Sequence, residues 1–404
     1  MKVLLIAADY PWPETGGSRL RLANTVAALA ECGDVDLLSI VPSGRDDSDF
    51  APPPDGVRLA RIVRCAVDTS PPGIVGMLLA SVRNTPLELT LKPGKAVRAA
   101  MENIDLRSYD LVWCFTVRAW IWSGEPHSRP TVVDIDDLED QKILARLRIP
   151  SRRRVGIARI RQMLADRLAG FRARQWKSLH RRIDKVAVPV VCSDLDAVRS
   201  SLEHVRVVPN GFKSPAKPLG RTDVRPAPVV MFQGTLRYPP NGDAARFLAS
   251  EIAPRLAERI AGVQVRLVGV VAPSFAAEVS HPPLVTVVGA VPEMAEELAR
   301  TDLVVVPLRF GSGTRIKILE AFAHKIPVVS TSLGAEGLGL THGVHLLLAD
   351  DASGIAEACA SLLSDTELRE TIVENAHALF CERYESSVVR KRIRQLAEDV
   401  ARAN

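Results

Sequence analysis

The sequence predicts an α/β protein of two similar halves, each a parallel sheet covered by helices on both faces. At 404 residues the chain is long for a single core and comfortable for two. Short apolar, β-branched runs alternate with helical patterns along its length, the signature of β-α-β units. A turn signal at Pro209-Asn210-Gly211, followed by a Pro-rich, charged stretch to about Pro228, divides the series in two.

In the first half, strands are expected at residues 3–7, 35–41, 57–63, 111–115, 131–134 and 186–191. In the second they are expected at 229–233, 263–270, 285–288, 303–307 and 328–330. Runs this rich in Val, Ile and Leu, without strict alternation, belong to strands buried on both faces. The last helical stretch, 386–404, either ends the second half or returns to the first.

Composition excludes several classes. With 47% hydrophobic and 25% charged residues, disorder, collagen and coiled coil fit poorly. The six cysteines are scattered without a close pair, which suits neither a zinc site nor a disulfide framework and leads us to expect a reducing cytoplasm. The apolar run at residues 3–8 is too short for a signal peptide, and no window approaches the roughly 18 apolar residues of a membrane span. Neither first turn, Trp12-Pro13-Glu14-Thr15-Gly16-Gly17 nor Gly234-Thr235-Leu236-Arg237-Tyr238, carries the Gly-x-Gly-x-x-Gly fingerprint, so nicotinamide chemistry is disfavoured. A Gly-x-x-x-x-Gly-Lys-Ser/Thr loop is absent too, and the histidines form no ligand cluster.

The most informative segment is Gly311-Ser312-Gly313-Thr314-Arg315-Ile316-Lys317-Ile318-Leu319-Glu320, between one apolar run and another. A strand, a Gly-rich turn and a helix make an anion site, because backbone N–H groups can approach a ligand and the helix terminus is partly positive. Arg315 and Lys317 add full charges suited to a diphosphate, with Gly313 and Thr314 supplying backbone. Glu320, three residues beyond Lys317, shares its helix face and could accept hydrogen bonds from ribose hydroxyls. The plainer alternative is an exposed Lys317–Glu320 helical pair beside ordinary turn glycines.

The order Val-Val-Val-Pro-Leu, Gly-Ser-Gly-Thr-Arg-Ile-Lys, Glu-Ala-Phe-Ala, Pro-Val-Val-Ser-Thr and Gly-Ala-Glu-Gly-Leu, spanning residues 304–338, resembles the donor-binding core of glycosyltransferase family 4. These are retaining nucleotide-sugar transferases, here of a subgroup with a Gly-Ser-Gly-Thr-Arg loop. The resemblance covers residues 1 to about 384 and is strongest over 229–338. It implies a GT-B-like α/β fold, two Rossmann-like domains facing across a cleft. The domains would be an acceptor domain at 1–208, a donor domain at 209–385, and a helix at 386–404 crossing back to the first. It implies transfer of a sugar from a nucleoside diphosphate sugar to a hydroxyl of a glycan or lipid-linked acceptor, without metal or other cofactor. Arg315, Lys317, Glu320 and Arg118 would carry the chemistry; Gly16, Gly17, Gly234, Ser312, Gly313 and Thr314 would bind the donor. Where many members have a first glutamate, this chain has Ser312, which bears on donor choice and favours the rival reading of a non-catalytic nucleotide-sugar or glycan scaffold. Arg237 is the only basic residue near the first strand of the second half. Asp134, Asp136 and Asp137 resemble a metal site, but helix capping or an acceptor contact accounts for them as well.

Residues 141–182 hold fourteen Lys or Arg and one acid, Asp166, a net of +13 in a chain of +5, so the remainder carries −8. Ile157, Ile160, Met163, Leu164, Leu168 and Phe171 recur through the segment at steps of three and four. A solvated basic face is one reading. A cytoplasmic protein held peripherally on an anionic membrane is the other, and it suits the lipid-linked acceptors of the family. A nucleic-acid partner is not expected, since no known module is present.

Overall fold

The structure is a computed structural model describing residues 1–44, 49–67, 84–89, 95–147, 157–217, 219, 227–311 and 315–403. The chain divides into two compact units, Met1–Gly211 with Val389–Asn404, and Phe212–Val388.

The first unit contains a seven-stranded sheet of order β3-β2-β1-β4-β5-β6-β7, with every pair parallel. Its strands are β1 (Lys2–Ala7), β2 (Asp34–Pro42), β3 (Arg61–Val67), β4 (Leu111–Phe115), β5 (Thr131–Asp136), β6 (Val188–Val191) and β7 (Arg206–Val207). The period of two shows in β1: Val3, Leu5 and Ala7 enter one core while Leu4 and Ile6 enter the other. Helix α1 (Gly17–Ala30) covers the first core with Leu22 and Val26. On the second lie α2 (Val117–Trp122) with Trp120, and α4 (Ile157–Asp184) with Trp176, Leu179 and Ile183. Between them in sequence, α3 (Glu139–Leu147) packs against α4.

The C-terminal helix, Ser386–Arg402, belongs to this unit from Val389 onward. Val389, Ile393, Leu396 and Ala397, spaced by four, three and one, form a stripe buried with β1 and α1.

Two expectations need correction. The third strand starts at Arg61, not near residue 57, because Asp55-Gly56 makes a turn with Gly56 at φ 90° and Val57 N–H donating to Pro54. The two-residue strands β7 and, in the second unit, β13 (Leu347–Leu348) went unforeseen, being too short to show a period.

The second unit contains a six-stranded parallel sheet of order β10-β9-β8-β11-β12-β13. Its strands are β8 (Val229–Gln233), β9 (Gln264–Val268), β10 (Val285–Gly289), β11 (Leu303–Val306), β12 (Val328–Ser330) and β13 (Leu347–Leu348). Helices α5 (Pro239–Phe247) and α6 (Ile316–Ala323) follow β8 and β11. The order reverses between β1 and β4 in one sheet and between β8 and β11 in the other. Ligands of open α/β sheets bind outside the carboxyl ends of strands at such reversals.

Candidate functional site

In the second unit, residues following β8 and β11 meet at the reversal. Chain leaves β8 through Gly234 at φ 144°, where a Cβ would stand 2.8 Å from Asn241 Nδ2 and 3.2 Å from Lys317 Nζ. The backbone angle calls for glycine, and a Cβ here would push the Asn241 and Lys317 side chains out of place. Asn241, in the first turn of α5, donates from Nδ2 to Thr235 O at 3.0 Å, which turns its Oδ1 to accept from Lys317 Nζ at 2.8 Å. The same ammonium lies 4.4 Å from the centroid of the Phe232 ring, within cation–π range.

One turn further along α6, Glu320 Oε2 accepts from Gln233 Nε2 at 3.4 Å. The other end of that amide, Gln233 Oε1, is buried with no hydrogen-bond partner among the described residues. Arg315 is buried at the N-cap of α6, and its carbonyl receives Ile318 N–H at 2.8 Å. The helix is fixed by its other side, since Ile318, Leu319 and Phe322 are in the core. Its polar face is thereby aimed, not free to roll.

Lys317 and Glu320 keep some exposed surface, yet their charged ends lie deep among neighbouring atoms. Desolvation, with Arg315 adding repulsion, pulls the Lys317 ammonium down to about 7, against the opposing pull of Glu320. Desolvation likewise raises the Glu320 carboxyl, opposed by Gln233 and Lys317. A site that disfavours its own cation in this way gains when an anion enters.

Of the residues singled out in the sequence, Gly234, Arg315, Lys317 and Glu320 stand in this one constellation. Ser312, Gly313 and Thr314 lie outside the described residues. Gly16, Gly17 and Arg118 belong to the first unit, which is described by itself. There Gly16, at φ 94°, caps α1, and both glycines border a cavity of about 850 Å³ with Asp9, Thr15, Arg19 and Asp49. Arg19 binds Asp9 through Nε and Nη2 at 3.0 and 3.1 Å. Arg118 is exposed on α2, just after Thr116, whose φ of 76° is strained for a β-branched residue.

The acidic triplet has partners in this unit. Buried Arg21 binds Asp134 through Nε and Nη2, each at 2.9 Å, and donates from Nη1 to Val208 O and Asn210 Oδ1. Lys142 Nζ holds Asp137 at 2.6 Å. Asp136, at a bulge in β5 with φ 60°, is pushed up to about 7 by burial, with Asp137 adding and Arg21 opposing. Sequence reasoning missed Gln233, Asn241, Phe232 and Arg21. An amide at the end of a strand, or in a Pro-Pro-Asn-Gly helix start, signals nothing until the fold shows what it faces.

The fold has known counterparts over nearly its whole length. HepE of Anabaena, in a complex with UDP and glucose, superposes with a TM-score of 0.63 at 19% identity, covering 98% of this chain and 99% of that one. Sucrose-phosphate synthase of Thermosynechococcus elongatus gives 0.70 at 16% identity, covering 100% and 99%. A glycosyltransferase of Rickettsia africae gives 0.66 at 12%, covering 100% and 99%. The chain has the GT-B fold of glycosyltransferases. Residues 227–365, which hold the constellation just described, match the family model for Glycosyl transferases group 1. A Klebsiella pneumoniae protein, the uncharacterized 44.6 kDa protein in the cps region, is 34% identical over 83 residues, or 20% of this chain and 21% of that protein. The chain thus matches about a fifth of that relative's length.

Proposed function

We propose that this chain is a retaining glycosyltransferase of family 4 that moves a sugar from a nucleoside diphosphate sugar to a hydroxyl acceptor, in cell-surface glycan or glycolipid synthesis. The observation that carries the reading is Lys317, held between Asn241 and Phe232 with Glu320 one turn away, inside the segment that matches the group 1 family. In this reading Lys317 and Arg315 neutralise the departing diphosphate, aided by the backbone at Gly234, Gly313 and Thr314, and Glu320 receives the ribose hydroxyls. Charge of this kind counts most where it is preorganised and poorly hydrated, because no solvent must reorganise as the leaving group departs. We assign Gly16 and Gly17 to the donor phosphates and Arg118 to the reacting groups, as the family resemblance implies. A metal ion is not required, since the site brings its own cations. The domains are those of the sequence reading, 1–208 for the acceptor and 209–385 for the donor.

The acceptor is a glycan or a lipid-linked sugar, and the protein works in the cytoplasm, held peripherally on an anionic membrane through residues 141–182. No helix among the described residues is long and apolar enough to cross a membrane. HepE's complex with UDP and glucose makes uridine nucleotides the first donors to assay. The test is release of nucleoside diphosphate from a panel of nucleotide sugars in the presence of a membrane extract, with the product's anomeric configuration read by NMR. Donor binding without release in every mixture would favour the non-catalytic scaffold, to which Ser312 in place of a carboxylate points. Product of inverted configuration would remove the retaining assignment.

A further inference from the structure

Helix α4 is built in two parts. Its second half is docked, with Ala173, Trp176, Leu179, His180 and Ile183 all buried. Its first half is not. Ile160, Met163, Leu164, Leu168 and Phe171 are 59%, 51%, 60%, 61% and 42% exposed, five of the few large apolar side chains left in water anywhere in the described chain.

At 3.6 residues per turn these five fall on one side of the helix, an arc of under half its circumference. The same repeat puts Ala173, Trp176, Leu179, His180 and Ile183 on the opposite side, while buried Gln175, on the stripe's side, donates from Nε2 to Thr85 O. The stripe therefore faces away from the apolar core to which α4 is anchored. Arg161, Arg167, Arg174 and Arg181 are exposed along the same helix. By the helical repeat Arg167, Arg174 and Arg181 fall within or at the edge of the stripe, where long side chains can snorkel past an apolar surface.

We propose that the first half of α4 lies in the headgroup interface of an anionic bilayer, with Ile160, Met163, Leu164, Leu168 and Phe171 inserted among the acyl chains and the arginines on lipid phosphates. This deepens the membrane part of the function proposed above. Charge alone would suit any polyanion, but only a bilayer rewards both halves of the pattern, since the apolar side chains gain nothing from a nucleic-acid backbone. A second copy is disfavoured by charge, because pairing two such helices would face arginines with arginines. The geometry also fixes orientation: the helix lies along the surface, with the first unit's core on the water side.

The experiment uses the full chain with vesicles of phosphatidylcholine alone or mixed with phosphatidylglycerol, and no sugar transfer, so it can fail while the transferase reading stands. Flotation should show binding to the mixed vesicles only, weakening with salt. Leu164→Ser with Leu168→Ser should reduce that binding about tenfold or more while leaving circular dichroism unchanged, since neither side chain is packed. Arg167→Gln with Arg174→Gln should reduce it with a smaller salt dependence. The proposal is overturned by equal binding to neutral vesicles, by no binding to either, or by binding that both double variants retain. It is also overturned if light scattering shows a dimer that the leucine substitutions dissolve, or if a DNA or RNA oligomer binds with the same dependence on the stripe.

Discussion

Lys317 Nζ and Asn241 Oδ1 stand 2.8 Å apart although 76 positions separate them in sequence. The bond joins the first turns of the helices that follow the two strands at the sheet's reversal. It holds an ammonium whose charge the site disfavours, so the site is poised for an anion before one arrives.

Lys317→Ala should slow transfer by about two to three orders of magnitude, the loss expected when one preorganised charge on a leaving group is removed, or about 3 to 4 kcal/mol. Arg315→Ala should do the same. Single-turnover rates at saturating donor, with thermal unfolding as control, check this. Near wild-type turnover in either variant would remove that residue from the assigned role.

Nucleotide affinity should fall as pH rises above about 7. Free Lys317 loses its proton there, and a bound diphosphate restores it, so binding takes up a proton. Below that pH the lysine is already charged and contributes no slope. The slope from one proton is at most about tenfold per pH unit. Lys317→Arg, which stays charged, should flatten the profile in calorimetric titrations from pH 6 to 9. An identical slope in this variant would assign the proton elsewhere.

Glu320→Gln should weaken binding of the free nucleoside diphosphate and leave the fold intact. Among the described residues its carboxylate takes a long hydrogen bond from Gln233 and the attraction of Lys317, while the helix is anchored by Ile318, Leu319 and Phe322. Unchanged affinity would reduce Glu320 to a partner of Lys317 and Gln233.

Transfer should survive EDTA. The diphosphate has Arg315, Lys317 and a helix terminus for its charge. Activity abolished by chelation and restored by magnesium or manganese would reopen Asp136 and Asp137 as ligands.

Arg21→Met should destabilise the protein by about 3 to 5 kcal/mol, because it strands Asp134 in the core without its cation. Urea denaturation measures it. The double change Arg21→Met with Asp134→Leu should recover much of the loss, which a purely packing defect would not.

Much of this molecule is visible in its sequence because buried parallel strands are written as unbroken β-branched runs. The expected strands at 111–115, 229–233 and 328–330 coincide with β4, β8 and β12 to the residue. The run at 57–63 misled because Val57 and Val63 have the composition of a strand, whereas Val57 closes the turn at Asp55-Gly56 and the strand starts only at Arg61. Lys317 and Glu320 were legible for a different reason: three positions apart on a helix, they share a face by arithmetic, and Arg315 stands in the Gly-rich turn just before them. Gln233, Asn241 and Phe232 were not, because they approach Glu320 and Lys317 from another β-α connection, and only tertiary structure supplies those distances. The acids could be mistaken for metal ligands because sequence lists like charges together; it does not show that Asp134 meets Arg21, 113 positions away, or that Asp137 meets Lys142.

The C-terminal helix has a consequence for how the protein is made. Val389, Ile393, Leu396 and Ala397 complete a core whose other walls are β1 and α1, on the far side of the second unit in sequence. Synthesis runs in one direction, so the first unit waits, with an apolar groove beside α1, until Val389 and the residues after it have been translated. The second unit, whose residues all precede Val389, has no such delay. Of the two units, the one begun first is the last that can be finished, and a nascent chain stalled short of Val389 would expose that groove to chaperones.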